Sequence, residues 1–253
     1  MNIYLSKIKK QSRRYNIEIR VDKDVFEFKI TDDLLIEMMF LSPKPLKESE
    51  YKNFLNKLPL DSLVYEGIKY IDKKMRSEKE VREHLYTLST SYTLVDDTID
   101  RLKSKNLIND ENYKDTYLEY AIYSKRDGRL RIIENLSFLG LSTYFDYPID
   151  ALKDNIKHLS QKYIEKNYDV PYKTLINKTK IFLMSKGYTE GEIDKFMNIS
   201  SVPKENDEEI IKKDYRKLKP KYKDDKDKLK TALLRKGYSL SLVEKVIGGS
   251  IDE

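Results

Sequence analysis

Basic side chains recur at two fixed distances before three successive glycines, Gly140, Gly187 and Gly237. In a protein built from stacked repeats, equivalent positions line up along one face, so these cations would form one surface. Lysine and arginine neutralise phosphates, and such a surface favours a polyanionic partner such as nucleic acid. The cations nine residues before the glycines are Arg131, Lys178 and Lys228, and those fourteen residues before are Arg126, Lys173 and Lys223.

We extend this surface, the predicted basic face, to neighbouring arginines and lysines. The segment from Lys212 to Lys236 supports it, because twelve basic residues there are opposed by four aspartates. An alternative interpretation is that these charges only solvate helix exteriors. The predicted basic face comprises Arg76, Arg82, Lys125, Arg126, Arg129, Arg131, Lys173, Lys178, Lys180, Lys186, Lys223, Lys228, Lys230, Arg235 and Lys236.

Residue patterns typical of enzymes are missing from the sequence. His84 and His158 are the only histidines, and they lie far apart in charged helical segments. There is no glycine-rich phosphate loop, nucleophile elbow or metal-spaced cluster, and without cysteine there are no disulfides or thiolate metal sites. The acidic pairs Asp96-Asp97 and Asp224-Asp225 suit helix starts better than acid–base catalysis. We therefore predict a protein that is not an enzyme and uses no cofactor and no metal.

The composition favours an extended helical protein with much solvated surface. Of 253 residues, 39% are hydrophobic and 36% are charged, and the net charge is +6. No apolar run is long enough to span a bilayer, and the basic N-terminus lacks the apolar core of a signal peptide. These features predict a cytoplasmic protein that does not associate with membranes.

One stretch of the chain occurs twice. Residues from Pro171 to Ser200 match those from Lys221 to Ser250, most clearly at Lys186-Gly187-Tyr188 and Lys236-Gly237-Tyr238. Each copy predicts a helix, a glycine in the left-handed conformation, and a second helix. In the first copy, Thr189 and Glu192 form the capping-box pattern that opens this second helix.

The same period extends towards the N-terminus, because Gly140 lies 47 residues before Gly187. Ser77 with Glu80 predicts another capping box, and Gly128 is expected to open a helix. We predict four three-helix repeats that form an elongated, curved, solenoid-like array. Their expected bounds are 59–109, 110–154, 155–203 and 204–253.

The first part of the chain has a different pattern. Residue types alternate from Ile3 to Ile30, which predicts strands, and Asp22-Lys23-Asp24 predicts the turn of a hairpin. Thr31 is expected to cap a short helix, and Ser42 to Leu46 is expected to be an irregular connection. We therefore predict a small β-rich module at residues 1–58 that folds apart from the helical repeats, so the fold class is mainly α with a β-rich N-terminus.

Four motifs, in order, resemble those of the RecX recombination regulators, from about residue 60 to the C-terminus. They match the family's arginine-serine–glutamate–leucine opening, its leucine-asparagine-aspartate signature, its glycine–arginine segment and its closing motif. The sequence departs from the family pattern at Leu139 and Lys114, where lysine and alanine are usual. The β-rich N-terminus and the fourth repeat suit the longer Gram-positive members. The motifs are Met75–Leu85, Leu107–Tyr113, Gly128–Leu136 with Gly140-Leu141, and Lys228–Ser239.

The resemblance implies a monomeric, non-enzymatic modulator of the RecA recombinase, with a role in DNA repair, recombination and the SOS response. It implies binding in the groove of the RecA–single-stranded DNA filament, inhibition of ATP hydrolysis and strand exchange, and a shift towards disassembly. The expected partner is the RecA filament, and single-stranded DNA, through its phosphates, is a further candidate partner.

Two other functions remain open from the residues alone. A helix-turn-helix protein would need exposed Arg, Asn or Gln at the start of a recognition helix, which Glu190-Gly191-Glu192 and Leu240-Ser241-Leu242 do not supply. A helical adaptor could present the same basic face to an acidic protein without any DNA.

Overall fold

The computed structural model describes residues 2–198, 206–223 and 225–248. Within them the protein is mainly helical, with a small N-terminal antiparallel sheet, as predicted. Asp224, which belongs to a predicted acidic pair, and the ends of the two repeat copies at Ser200 and Ser250 lie outside the described residues. The strands are β1 Ile3–Gln11, β2 Arg14–Val21, β3 Asp24–Ile30 and β4 Lys44–Leu46. The helices are α1 Asp32–Glu37, α2 Glu48–Ile71, α3 Glu78–Tyr86, α4 Tyr92–Ser104, α5 Asp110–Glu119, α6 Arg129–Leu139, α7 Ile149–Lys166, α8 Tyr172–Ser185, α9 Glu190–Phe196, α10 Asn206–Tyr222, α11 Lys226–Arg235 and α12 Leu240–Ile247, and a π-helical turn, Tyr120–Ser124, continues α5.

The sheet has the strand order β3-β2-β1-β4, with every neighbouring pair antiparallel. The predicted hairpin turn is present, and Asp22 adopts a positive φ of 53° there. The prediction of an irregular connection from Ser42 to Leu46 is wrong, because Leu46 pairs with Ile3 at the edge of the sheet. Proline is tolerated in such an edge strand, where its missing N–H costs no hydrogen bond, and Pro45 is accommodated in this way.

Helix α2 extends across the predicted boundary between the N-terminal module and the first repeat. Its first half places Phe54 in the core beneath the sheet, and its second half places Val64 in the core formed with α3 and α4. Asp61, in the middle of α2, is 2% exposed and accepts hydrogen bonds from the backbone N–H and the hydroxyl of Thr31, the residue that caps α1. Burial raises the pKa of this carboxyl. The predicted end of the module at residue 58 therefore falls inside a continuous helix that packs on both cores.

The chain divides into two compact units. The first contains the residues up to Asp115 together with Phe138–Leu141, and the second contains Thr116–Ser137 and the described residues from Ser142 onwards. In the first unit, the predicted capping box is confirmed, because the Ser77 hydroxyl accepts from the N–H of Glu80 and the Glu80 carboxylate accepts from the N–H of Ser77.

In the second unit, both copies of the matched stretch have the predicted order of helix, glycine and helix. Gly187 follows α8 and Gly237 follows α11, with φ of +93° and +102°. Thr189 caps α9 in a capping box, and Ser239 caps α12. The residues four positions before Gly140, Gly187 and Gly237 are all fully buried leucines: Leu136, Leu183 and Leu233.

The stretch from Leu141 to Pro148 departs from the expected pattern, because it contains no helix although a third helix of the second repeat was expected there. Phe145 and Tyr147 are buried instead, and the Tyr147 hydroxyl donates to the carbonyl of Asp127 at 3.0 Å. Two anchored aromatic residues hold this segment in place, and Pro148 disfavours helix at the residue before it, so α7 begins only at Ile149.

The turn at Gly187 packs against the start of α6. The N–H of Gly128 donates to the carbonyl of Lys186 at 2.7 Å, and the N–H of Leu130 donates to the carbonyl of Gly187 at 3.0 Å. A Cβ at Gly187 would lie 2.5 Å from the backbone nitrogen of Arg131. This contact, called the glycine joint below, therefore requires glycine both for its left-handed φ and for space.

We expect Gly187→Ala to destabilise the protein by about 2 kcal/mol or more, because a left-handed alanine is strained and its Cβ collides with α6. Gly191→Ala is the matched control: Gly191 lies in α9 with nothing within 4 Å of an added Cβ, so alanine there should be neutral or slightly stabilising. Urea unfolding followed by far-UV circular dichroism measures both changes. Equal midpoints for the two variants would contradict the assigned role of the glycine joint.

Candidate nucleic-acid interface

The basic face predicted from the sequence divides into cations that hold the fold and cations that face solvent. In the first unit, Arg76 pairs with Glu80 at 2.9 Å and stacks over the Tyr70 ring at 4.1 Å. Arg82 pairs with Glu78 at 2.9 Å and also with Asp96, and these two carboxylates raise its pKa. Both guanidinium groups therefore stabilise the start of α3 and are poorly available to a ligand.

A second group of predicted cations belongs to a buried polar network of the second unit. Arg126 donates to the Asn155 side chain at 2.8 Å, and Asn155, 3% exposed, donates to the Ile122 carbonyl at 2.8 Å and the Tyr147 hydroxyl at 3.1 Å. Burial raises the pKa of the Tyr147 hydroxyl. Arg129 donates to the Phe145 carbonyl at 3.2 Å and lies over the Phe145 ring. These arginines fix the irregular segment onto the helices.

Arg131 and Lys186 lie at the glycine joint. Arg131 donates to the Ser185 carbonyl at 3.3 Å, and both cations approach the carboxylate of Asp127 at 3.9 Å. Asp127 is 7% exposed, and a buried carboxylate of this kind needs nearby cations. Arg131 therefore stabilises this joint.

Further predicted cations form ion pairs with carboxylates of the second unit. Lys180 pairs with Asp194 at 2.5 Å and Lys230 with Glu244 at 2.7 Å, so each ties its helix to the following one. The same spacing of fourteen residues joins Arg82 to Asp96 in the first unit. The remaining pairs are Lys228 with Asp225 at 2.9 Å and Lys236 with Asp214 at 2.7 Å.

Five predicted cations are exposed and have no carboxylate partner among the described residues. Lys173 and Lys178 lie on α8, Lys223 lies between α10 and α11, and Arg235 ends α11. Lys125 follows the π-helical turn, with its ammonium 5.6 Å from the centre of the Tyr120 ring. These five side chains, all in the second unit, can approach phosphates or carboxylates without breaking an existing ion pair.

The spacing that suggested equivalent cations does not give them equivalent surroundings. Arg131 and Lys228 lie in the first turn of α6 and α11, whereas Lys178 lies in the second turn of α8. Helix α8 begins at Tyr172, directly after Pro171, while the matching Tyr222 is the last residue of α10. The first helix of each copy therefore begins at a different position, and side chains at the same distance before the glycine lie in different surroundings.

An open groove of about 550 Å³ lies between α10 and α11. Its lining combines apolar Leu218 and Ala232, the ring of Tyr222, and the cations Lys228, Arg235 and Lys236, with Asp227 and Thr231 beside them. A groove of this kind can take an extended anionic chain or an acidic, partly apolar protein segment. Sequence analysis placed the three cations on the basic face but did not predict the groove, because it forms only where α10 and α11 pack together.

Other kinds of site are not found in the described part of the chain. No group of three or more His, Asp or Glu side chains there is arranged to hold a metal ion. Across the same residues, no helix has the length and apolarity needed to cross a bilayer.

Comparison with known proteins gives one consistent family. The chain is 24% identical to regulatory protein RecX of Oceanobacillus iheyensis over 97% of this chain and 96% of the relative. It is 27% identical to the RecX proteins of Streptococcus agalactiae and Streptococcus mutans, over 96% of this chain and 98% of each relative. No family model matches the chain.

Two solved structures share the fold. A crystal structure of regulatory protein RecX superimposes with a TM-score of 0.59 and 20% identity, covering 76% of this chain and 97% of that structure. RecX from Lactobacillus salivarius gives a TM-score of 0.51 and 23% identity, covering 55% of this chain and 94% of that structure.

The division between structural and exposed cations leads to a direct test. We expect Arg126→Gln to destabilise the protein by about 1–3 kcal/mol, because it leaves the buried Asn155 oxygen without its donor. Lys173→Gln, which removes an exposed cation in α8, should change stability by less than about 0.5 kcal/mol. Thermal unfolding of the two variants measures both effects. An Arg126→Gln protein as stable as the original would contradict the structural role assigned to this arginine.

Proposed function

The chain belongs to the RecX family of regulatory proteins, and on that premise we propose that it regulates a RecA-type recombinase by binding its filament on single-stranded DNA. The match covers almost the whole chain and almost the whole of each curated relative, which supports transfer of the regulatory role. In this proposal the protein occupies the filament groove, slows ATP hydrolysis and strand exchange, and favours disassembly. It acts by binding and carries out no chemistry of its own.

We further propose that the helical part consists of four three-helix repeats, the second of which has replaced its third helix by the segment from Leu141 to Pro148. The recurring buried positions support this arrangement, because Leu85 of α3 is as fully buried as the three leucines that precede the glycines. Repeated units offer several similar contact surfaces to a polymer of identical subunits. Contacts that are weak one at a time then add up through their high effective concentration.

The exposed cations of α8 and α11 and the groove between α10 and α11 are the surface that we assign to the filament. Lys173, Lys178 and Arg235 carry charge that is not already neutralised by a neighbouring carboxylate. They are therefore the best candidates to neutralise DNA phosphates or acidic side chains of the recombinase.

The apolar lining of the groove favours a second candidate function, in which the protein regulates the recombinase mainly by contacting the recombinase itself rather than its DNA. Leu218 and Ala232 would gain little from a phosphate backbone but can pack against an apolar side chain. A helical adaptor without any link to the recombinase would use the groove in the same way, and the experiment below separates these possibilities.

We expect substoichiometric protein to depress ATP hydrolysis by RecA on single-stranded DNA. Combining Lys173→Gln, Lys178→Gln and Arg235→Gln should weaken this inhibition and leave the melting temperature near that of the original protein. If all three side chains meet phosphates, the slope of log affinity for single-stranded DNA against log salt should flatten by about two units. Binding is measured by fluorescence anisotropy and hydrolysis by a coupled assay.

The matched control replaces three exposed lysines of the N-terminal sheet, with Lys9→Gln, Lys23→Gln and Lys29→Gln, and should inhibit like the original protein. An unchanged salt slope with weakened inhibition assigns the surface to the recombinase protein. No effect of the original protein on hydrolysis, even in excess, contradicts the proposed function.

A further inference from the structure

A pocket of about 340 Å³ lies in the N-terminal part of the first unit. It is formed where the turn between β1 and β2 meets the start of α1, the second half of α2 and the end of α4. Its volume is within the range of pockets that hold small molecules. The side chains that carry the following argument are Lys10, Arg13, Tyr15, Asp32, Tyr65 and Ile68.

Two tyrosines and an isoleucine give the pocket flat, apolar walls. Tyr65 is fixed in place, because the Arg14 guanidinium stacks on its ring at 4.4 Å from the centre. Lys10 lies 5.8 Å from the centre of the Tyr15 ring, so a cation is held beside the second aromatic wall. Aromatic side chains of this kind stack on planar bases.

The polar groups of the pocket differ in how far they are already satisfied. Lys105 pairs with Asp33 at 2.5 Å, and Arg13 pairs with Asp72. Within the described residues, Lys10 has no carboxylate partner. One oxygen of Asp32 accepts from the N–H of Asp33 at 3.2 Å, which leaves the second oxygen and a further lone pair of the first as acceptors for a ligand.

We propose that this pocket binds a nucleotide, with the base against Tyr15 and Tyr65, an amino group of the base donating to Asp32, and the phosphate beside Lys10. The ligand needs a planar apolar surface, hydrogen-bond donors and a negative charge together, and a nucleotide supplies all three. Guanine is preferred, because its adjacent imino and amino groups can both donate to one carboxylate. Thymine, with a single imino donor, should bind least well.

The pocket does not depend on the proposed regulation of a recombinase, since none of the cations assigned to the filament lines it. The source of the nucleotide is either a free mononucleotide or one residue of a single strand. Both sources present the same base and phosphate to the pocket, so the titration uses mononucleotides and oligonucleotides separately to distinguish them.

The test is isothermal titration of the full chain with dGMP, dCMP, dTMP and inorganic phosphate, and with a short single-stranded oligonucleotide with or without guanine. Saturation-transfer NMR reports whether base protons contact the protein. We expect saturable binding of dGMP, weaker binding of dTMP by about tenfold, and little competition by phosphate alone. Saturable binding of the guanine oligonucleotide, but not of dGMP, would support the pocket with a strand as its source.

The variants Lys10→Gln and Asp32→Asn test the assigned contacts, and both positions are solvent-exposed enough to leave folding intact. Lys10→Gln should weaken dGMP binding by about fivefold to tenfold, and Asp32→Asn should remove the preference for guanine over thymine. Lys9→Gln and Asp24→Asn are the matched controls, and both should bind like the original protein. Lys9 points to the opposite face of β1 from Lys10, and Asp24 lies at the turn between β2 and β3, whereas the pocket is at the turn between β1 and β2.

Tyr65→Leu removes the ring at similar bulk and should abolish the NMR contact with base protons, whereas Tyr65→Phe should keep it. The proposal is overturned if no nucleotide or guanine oligonucleotide binds saturably at millimolar concentration. It is equally overturned if Lys10→Gln and Asp32→Asn bind like the original protein, or if phosphate competes as well as dGMP.

Discussion

The arrangement of the second unit depends on a backbone contact, the glycine joint between the turn after α8 and the start of α6. The first N–H groups of a helix have no partner within the helix and must find one elsewhere. In α6 they find it far along the chain, because Gly128 and Leu130 donate to the carbonyls of Lys186 and Gly187. A side chain at Gly187 would enter the backbone of Arg131, so the local end of α8 and the long-range packing of α6 impose the same requirement.

At the starts of α3 and α8, a backbone N–H also finds its acceptor far along the chain, but here the acceptor is a side chain. The N–H of Glu78, at the start of α3, donates to the Asp110 carboxylate at 2.8 Å, and the N–H of Tyr172, at the start of α8, donates to the Asp207 carboxylate at 2.8 Å. The two acceptors lie in the first turn of later helices, α5 and α10. Loss of α5 or α10 would leave a helix-start N–H of α3 or α8 without this acceptor, which couples the stability of helices that are distant in sequence.

The sequence was a good guide wherever one short motif decides the conformation, and a poor one where partners lie far apart. The capping pair Thr189 and Glu192 and the left-handed glycines are local requirements, so they could be predicted. The continuous helix α2 through Pro59 could not, because the helix is held by two cores that the sequence does not connect. The role of Arg126 was equally hidden, since its partner Asn155 is 29 residues away.

Ion pairing also reduces the number of basic side chains that are available to bind an anionic partner. A lysine that already faces a carboxylate gains less from a phosphate than an unpaired one, because the first partner must be given up and rehydrated. The same counted position holds Arg131, which stabilises the glycine joint, and Lys178, which faces solvent. The same distance before a glycine thus holds one side chain that secures the fold and another that is exposed. Among the fifteen predicted cations, the exposed charge that no described carboxylate already neutralises belongs to Lys125, Lys173, Lys178, Lys223 and Arg235, a smaller set than the count of basic residues implies.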